Sequence, residues 1–125
     1  MLLDTCALLW LAQGGGNLSP ETCEKIGQSP VVYVSAISGF EIALKQRKGK
    51  LKLPATPEEW FKVVSEHHDL QIIPLDLEIC IHSTQLPAIH ADPCDRFIIA
   101  TAKTHRLQVV TSDLLFAQYG VEIIS

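Results

Sequence analysis

Short apolar runs alternate with helix-patterned segments along the whole chain, and this alternation restricts the fold more than any other feature. Residues 1–3, 31–34, 70–75, 109–110 and 121–124 are runs of aliphatic or β-branched residues, each too short for a helix and bounded by turn or capping residues, as strands are. Between them the pattern is helical. Cys6 to Gln13 reads as a helix stopped by Gly14-Gly15-Gly16, and Ser19-Pro20 opens a second, with Ser as cap and Pro at the first helical position. Further helices are expected from Ser35 or Ser38 to Lys48, from Pro57 to His67 behind the cap Thr56, from Asp76 to Gln85, and from Asp92-Pro93 to His105. A short one runs from Asp113 to Tyr119, ended by Gly120. Pro74 places the 70–75 strand at a sheet edge or ends it. Strands alternating with helices predict an α/β fold, a parallel sheet covered on both faces. Right-handed crossovers then bring the C-terminal ends of the strands to one rim, where ligands gather in open sheets.

The chain has 125 residues, the size of one domain, and residues 1–125 are read as such. No apolar stretch is long enough for a membrane span, and the start lacks the basic-then-apolar pattern of an export signal, so a cytoplasmic location is expected. A net charge of -4 argues against a protein that coats nucleic acid non-specifically. Yet five of the ten basic residues, Lys45, Arg47, Lys48, Lys50 and Lys52, fall within eight positions. They serve either as a solvated helix end or as a local phosphate-steering patch. Cys6, Cys23, Cys80 and Cys94 show no C-x-x-C pair and read as reduced thiols, with Cys94 set apart by its place between two aspartates. The histidines, His90 included, read as structural or solvated, and Trp10 and Trp60 as packing residues.

Four acids deserve separate treatment because the expected topology returns them to one rim. Asp4 ends the first strand, Asp113 follows the fourth, and Glu41 and Asp95 stand early in helices. Asp95 is in line with Ile98, Ile99 and Ala102, and Glu41 with Ile37 and Leu44, so both carboxylates head apolar stripes. An unpaired charge at such a place is costly, and a hard divalent cation is a natural partner. Each acid also has a purely local explanation. Asp4, Asp92 and Asp113 can cap the helices that follow them, Ser38 to Glu41 has the capping-box pattern, and Asp95 can complement a helix dipole.

The stretches Leu2-Leu3-Asp4-Thr5-Cys6-Ala7-Leu8-Leu9-Trp10, Val34 to Lys45, His90-Ala91-Asp92-Pro93-Cys94-Asp95-Arg96 and Val110-Thr111-Ser112-Asp113 together resemble the PIN-domain family. Within it, the chain looks like the VapC-type toxins of bacterial toxin–antitoxin pairs. The motifs occur in the family's order and span essentially the whole chain. The resemblance implies a three-layer α/β/α sandwich with a central parallel sheet. It also implies a metal-dependent endoribonuclease that uses Mg²⁺ or Mn²⁺, with a metal-activated water cleaving RNA phosphodiesters. Asp4, Glu41, Asp95 and Asp113 match the family's acidic quartet. In this reading Asp4, Asp95 and Asp113 anchor the metal and Glu41 assists deprotonation of water. Asp92 is a supporting acid or cap, and Thr5 and Ser112 orient Asp4 and Asp113. Lys45, Arg47, Lys48 and Arg96 are candidate phosphate contacts, with an ion pair to Asp92 the favoured role for Arg96. Where this chain has Cys6 and Cys94, the family often has His and an aromatic residue. An RNA substrate, a cognate antitoxin and a homodimer are implied as partners.

Competing readings remain. A haloacid-dehalogenase-type phosphatase would need an acid at Cys6, and a receiver domain would pair adjacent acids after its first strand. A catalytically silent PIN-fold interaction module would keep the fold without turnover.

Overall fold

A computed structural model describes residues 1–125. Five parallel strands form one sheet in the order β3-β2-β1-β4-β5, where β1 is Leu2–Leu3, β2 Val32–Ser35, β3 Leu70–Ile73, β4 Val109–Val110 and β5 Ile123–Ile124. Six α-helices accompany them: α1 Thr5–Ala12, α2 Pro20–Gln28, α3 Ala36–Arg47, α4 Pro57–His67, α5 Leu77–Gln85 and α6 Pro93–His105. A 3₁₀ segment, Leu114–Tyr119, precedes β5.

The helices start where side-chain oxygens replace missing backbone partners. Asp4, Ser19, Ser35, Thr56, Asp76 and Asp92 each accept a bond from an amide two or three residues on. Pro20, Pro57 and Pro93 occupy first helical positions, where a missing N–H costs nothing. The choice between Ser35 and Ser38 as the start of α3 falls to Ser35, whose hydroxyl oxygen accepts from the Ile37 amide at 3.1 Å. Ser38 therefore lies inside the helix, and the expected capping box with Glu41 does not form. Two sequence expectations for β3 hold together: it is an edge strand, and it stops just before Pro74.

Neighbouring residues of a strand point to opposite faces, so the two-residue strands feed two separate cores. Leu2 and Val109 join Ile37, Ile79, Ile98, Ile99 and Phe116 on the face covered by α5 and α6. Leu3 and Val110 join Leu8, Leu11, Ile26, Trp60 and Val64 on the face covered by α1, α2 and α4. Leu2, Leu3, Val109 and Val110 have no solvent exposure at all. Burial of each such side chain contributes about 2 kcal/mol, so the central strands are held by packing more than by their few ladder bonds. This is the three-layer α/β/α arrangement.

The strand order turns at β1. From β1 the chain builds outward through β2 and β3, then crosses back to place β4 on the other side. A crevice opens at such a turn, above the C-terminal ends of the two central strands. Asp4 and Thr111 are the residues that leave β1 and β4 there, and the Asp4 amide bonds the Val110 carbonyl at 3.1 Å.

Candidate metal centre at the sheet rim

Asp4 is 7% exposed, and its Oδ1 accepts the Ala7 amide at 2.8 Å as the cap of α1. Burial raises its pKa, the Thr111 hydroxyl and the Ala7 amide oppose the rise, and the charges of Glu41 and Asp113 add to it. Asp113 caps the 3₁₀ segment in the same way, Oδ1 accepting the Leu115 amide at 3.0 Å. The local capping roles foreseen for these two acids are real, and each uses one oxygen. The second oxygen of Asp113 meets His90 Nε2 at 2.7 Å.

Asp95, in the first turn of α6, is the most perturbed acid of the site. Burial first, then the Asp92 charge, push it up to about 7, with Glu41 and Asp4 adding and His90 opposing. Glu41 comes from α3. Its Oε2 lies 3.5 Å from Lys45 Nζ, while its Oε1 is buried without any hydrogen-bond partner. Such an orphaned carboxylate oxygen is expensive and calls for a counter-charge. The four acids thus arrive from four separate elements, and the charges of Glu41 and Asp113 reach Asp4 while those of Glu41 and Asp4 reach Asp95. A cluster of hard oxygen donors with one lysine for compensation fits a hard divalent cation.

His90 completes the arrangement, and the sequence reading missed it. Its Nε2 lies 2.7 Å from Asp113 Oδ2 and 3.1 Å from Asp95 Oδ2, with a side chain only 12% exposed. Oxygen atoms of Asp95 and Asp113 and a ring nitrogen of His90 all fall within 4.8 Å of one another. The ring stands edge-on to Phe116 at a centroid distance of 5.9 Å.

Several supporting roles differ from expectation. Thr5 does not reach Asp4; its Oγ1 is 2.9 Å from Ser38 Oγ, a buried link between α1 and α3. Ser112 is exposed, and the Asp113 amide instead donates to Thr111 Oγ1 at 3.0 Å. Asp92 caps α6 through the Cys94 amide at 2.9 Å, as its position suggested.

Arg96 pairs with no carboxylate. Its guanidinium donates to the carbonyls of Ser83, Leu86, Pro87 and His90 at 2.8–3.1 Å, so its terminal N–H groups are engaged and the proposed Asp92 and phosphate contacts are not available to it. The physical reason is proximity: the loop before α6 folds back and presents its unpaired carbonyls, which a planar fork of donors satisfies better than one exposed acid. Arg47 and Lys48 stay exposed at the end of α3, while Lys45 leans toward Glu41.

The four cysteines are free. Burial and the neighbouring acids push the Cys94 thiol up to about 11, and the Cys6 thiol is raised by the same causes, so both are protonated in the metal-free protein at neutral pH.

The pattern of the PIN domain family matches residues 1–122. Ribonuclease VapC22 of Mycobacterium tuberculosis is 28% identical over 114 residues, covering 90% of this chain and 86% of that protein. Among solved structures, VapBC2 from Rickettsia felis bound to a promoter DNA fragment superposes with a TM-score of 0.72 at 14% identity, over 98% of this chain and 96% of that one. DNA-bound VapBC from Salmonella typhimurium gives 0.71 at 23% identity, over 98% and 95%. At these identities the structural likeness concerns the fold.

Proposed function

The chain belongs to the PIN domain family, and from that premise we propose that it is a metal-dependent endoribonuclease, the toxin of a toxin–antitoxin pair. One observation carries the reading beyond the family. Acids from four elements bear on one another at the rim, Glu41 and Asp113 on Asp4 and Glu41 and Asp4 on Asp95, with Lys45 beside Glu41 and His90 beside Asp95 as the only counterweights. Such a cluster would gain stability from a divalent cation, and it lies at the place where α/β sheets bind ligands.

Asp4, Asp95 and Asp113 would hold the cation, Asp4 and Asp113 through the oxygens that do not serve their caps. Mg²⁺ or Mn²⁺ bound there supplies a lowered pKa for water and a positive charge against the phosphodiester. With a cation bound, Asp95 would ionise, because the cation's charge would offset the burial and the Asp92 charge that hold its pKa up. Glu41, whose charge reaches both Asp4 and Asp95, would take a proton from an attacking water. Lys45, Arg47 and Lys48, at the end of the same helix, steer the RNA backbone toward an otherwise acidic protein. Residues 1–125 act as one nuclease unit, working in the cytoplasm and held in check by an antitoxin. Both structural relatives named above are VapBC assemblies, which supports a protein partner of that kind. A homodimer follows from the family alone.

Purified protein stripped with EDTA should leave a mixed RNA substrate intact and should cleave it when Mg²⁺ or Mn²⁺ is restored. Single-stranded DNA and p-nitrophenyl phosphate, offered in parallel, separate a ribonuclease from a phosphatase. Metal-independent cleavage, or none with any divalent ion, would overturn the assignment.

A further inference from the structure

His90 has no helix to position it, yet it sits among the acids, so the loop that carries it must be fixed by other means. Residues 86–92 join α5 to α6 without regular structure. Arg96 binds the carbonyls of Leu86, Pro87 and His90 in this loop and of Ser83 just before it. From the opposite side, the Tyr119 hydroxyl accepts the amides of Ile89 and His90 at 3.2 and 2.6 Å and donates to the Pro87 carbonyl at 2.8 Å. Tyr119 is 5% exposed and belongs to the same core as Phe116, on which the imidazole rests. A loop tied down at this many points holds its side chain in one orientation.

The other ring nitrogen decides what that side chain can do. His90 Nδ1 accepts the Asp92 backbone amide at 3.2 Å. An acceptor at Nδ1 has no proton, so in the neutral ring the proton is on Nε2. Nε2 is therefore a donor toward Asp113 Oδ2 and Asp95 Oδ2, not a lone pair open to a metal. Asp113 Oδ1 is committed to the Leu115 amide, so Oδ2 is the oxygen it can offer to a cation. A hydrogen bond to that oxygen sets the direction of its remaining lone pair.

We infer that His90 is a positioning residue for the metal centre: its Nε2–H bridges Asp95 and Asp113 and aims their carboxylates at the cation. The inference rests on the proposed cation-holding role of those acids. Groups of this kind, bonded to ligands and not to the ion, typically govern metal affinity by 10- to 100-fold.

Two measurements test it. Calorimetric titration of the full-length protein with Mg²⁺ should show His90→Ala binding about 10- to 100-fold more weakly. His90→Gln, which can return an N–H near the Nε2 position, should recover most of the loss. In ¹⁵N-labelled wild-type protein, the His90 ring should carry its proton on Nε2 both before and after Mg²⁺ is added, and this readout does not depend on how the variants fold. Equal or tighter Mg²⁺ binding by a folded His90→Ala, with wild type binding normally, would overturn the positioning role alone. Loss of the Nε2 proton on loading would make His90 a direct ligand and overturn it too. Failure of wild type to bind Mg²⁺ would overturn this inference together with the proposed function.

Discussion

Asp4→Asn is expected to lower metal-dependent RNA cleavage by at least about 100-fold while leaving the fold intact, because the substitution separates the two tasks of one carboxylate. The capping task survives. Asn is as good an N-cap as Asp, and its side-chain oxygen can still accept the Ala7 amide that Asp4 Oδ1 holds at 2.8 Å. The ligand task does not, since a neutral amide contributes no charge to a divalent cation. Stability should even rise slightly in the absence of metal. The wild-type carboxylate is buried beside Glu41 and Asp113, and both neighbours oppose its ionisation. Single-turnover cleavage of a labelled RNA, paired with thermal melting of the same preparation, reads both effects. Full cleavage by Asp4→Asn free of contaminating nuclease would remove Asp4 from the site.

The second large effect is a stability difference that depends on pH and reverses with metal. Asp95 titrates near 3.8 in an unfolded chain and about 7 in the metal-free fold. Below the lower value both states are protonated, and the carboxyl contributes nothing. As pH rises from there to about 7 the unfolded chain loses the proton and the fold retains it, so folding is progressively disfavoured. Above about 7 the penalty is complete and constant. Asp95→Asn has no such penalty. Its melting temperature in EDTA should match wild type near pH 4 and exceed it at pH 8, on the order of 5 °C for a domain of this size. Excess Mg²⁺ should then raise the wild-type value and leave the variant nearly unchanged, because only the wild type binds the ion well. A constant offset across pH would mean that Asp95 is not held in a charge-repelling environment.

Much of the fold could be read from local chemistry. Thr56-Pro57 marks the start of α4 and Asp92-Pro93 that of α6 because a capping oxygen and a proline are rules about adjacent residues. The parallel sheet followed from the alternation of elements. Its last strand was read too long: Val121 leaves the turn at Gly120 to pack against Phe116 and Tyr119, and only Ile123–Ile124 pair with β4. Ser38 and Glu41 have the spacing of a capping box, but Ser35 starts the helix three residues earlier, and a box cannot form within a helix that has already begun.

The site was legible in its acids and obscure in their supports. Asp4, Asp95 and Asp113 sit beside helix starts that capping rules locate, whereas Glu41 lies in the middle of α3. His90 meets partners five and 23 positions away, through a loop whose course depends on Arg96 and Tyr119. No periodicity carries that information. The motif around Asp92 held the only local sign, since His90 precedes it closely. Arg96 went astray for the same reason: a nearby acid is visible in the sequence, whereas four carbonyls collected by a folded loop are not.

Soaking crystals of the protein in Mn²⁺ and recording anomalous scattering locates any bound ion directly. The account predicts a peak in the crevice above β1 and β4, about 2.0–2.3 Å from carboxylate oxygens of Asp4, Asp95 and Asp113, with His90 bonded to those acids and not to the ion. An ion held elsewhere, or a well-ordered crevice that stays empty at saturating Mn²⁺, would contradict it.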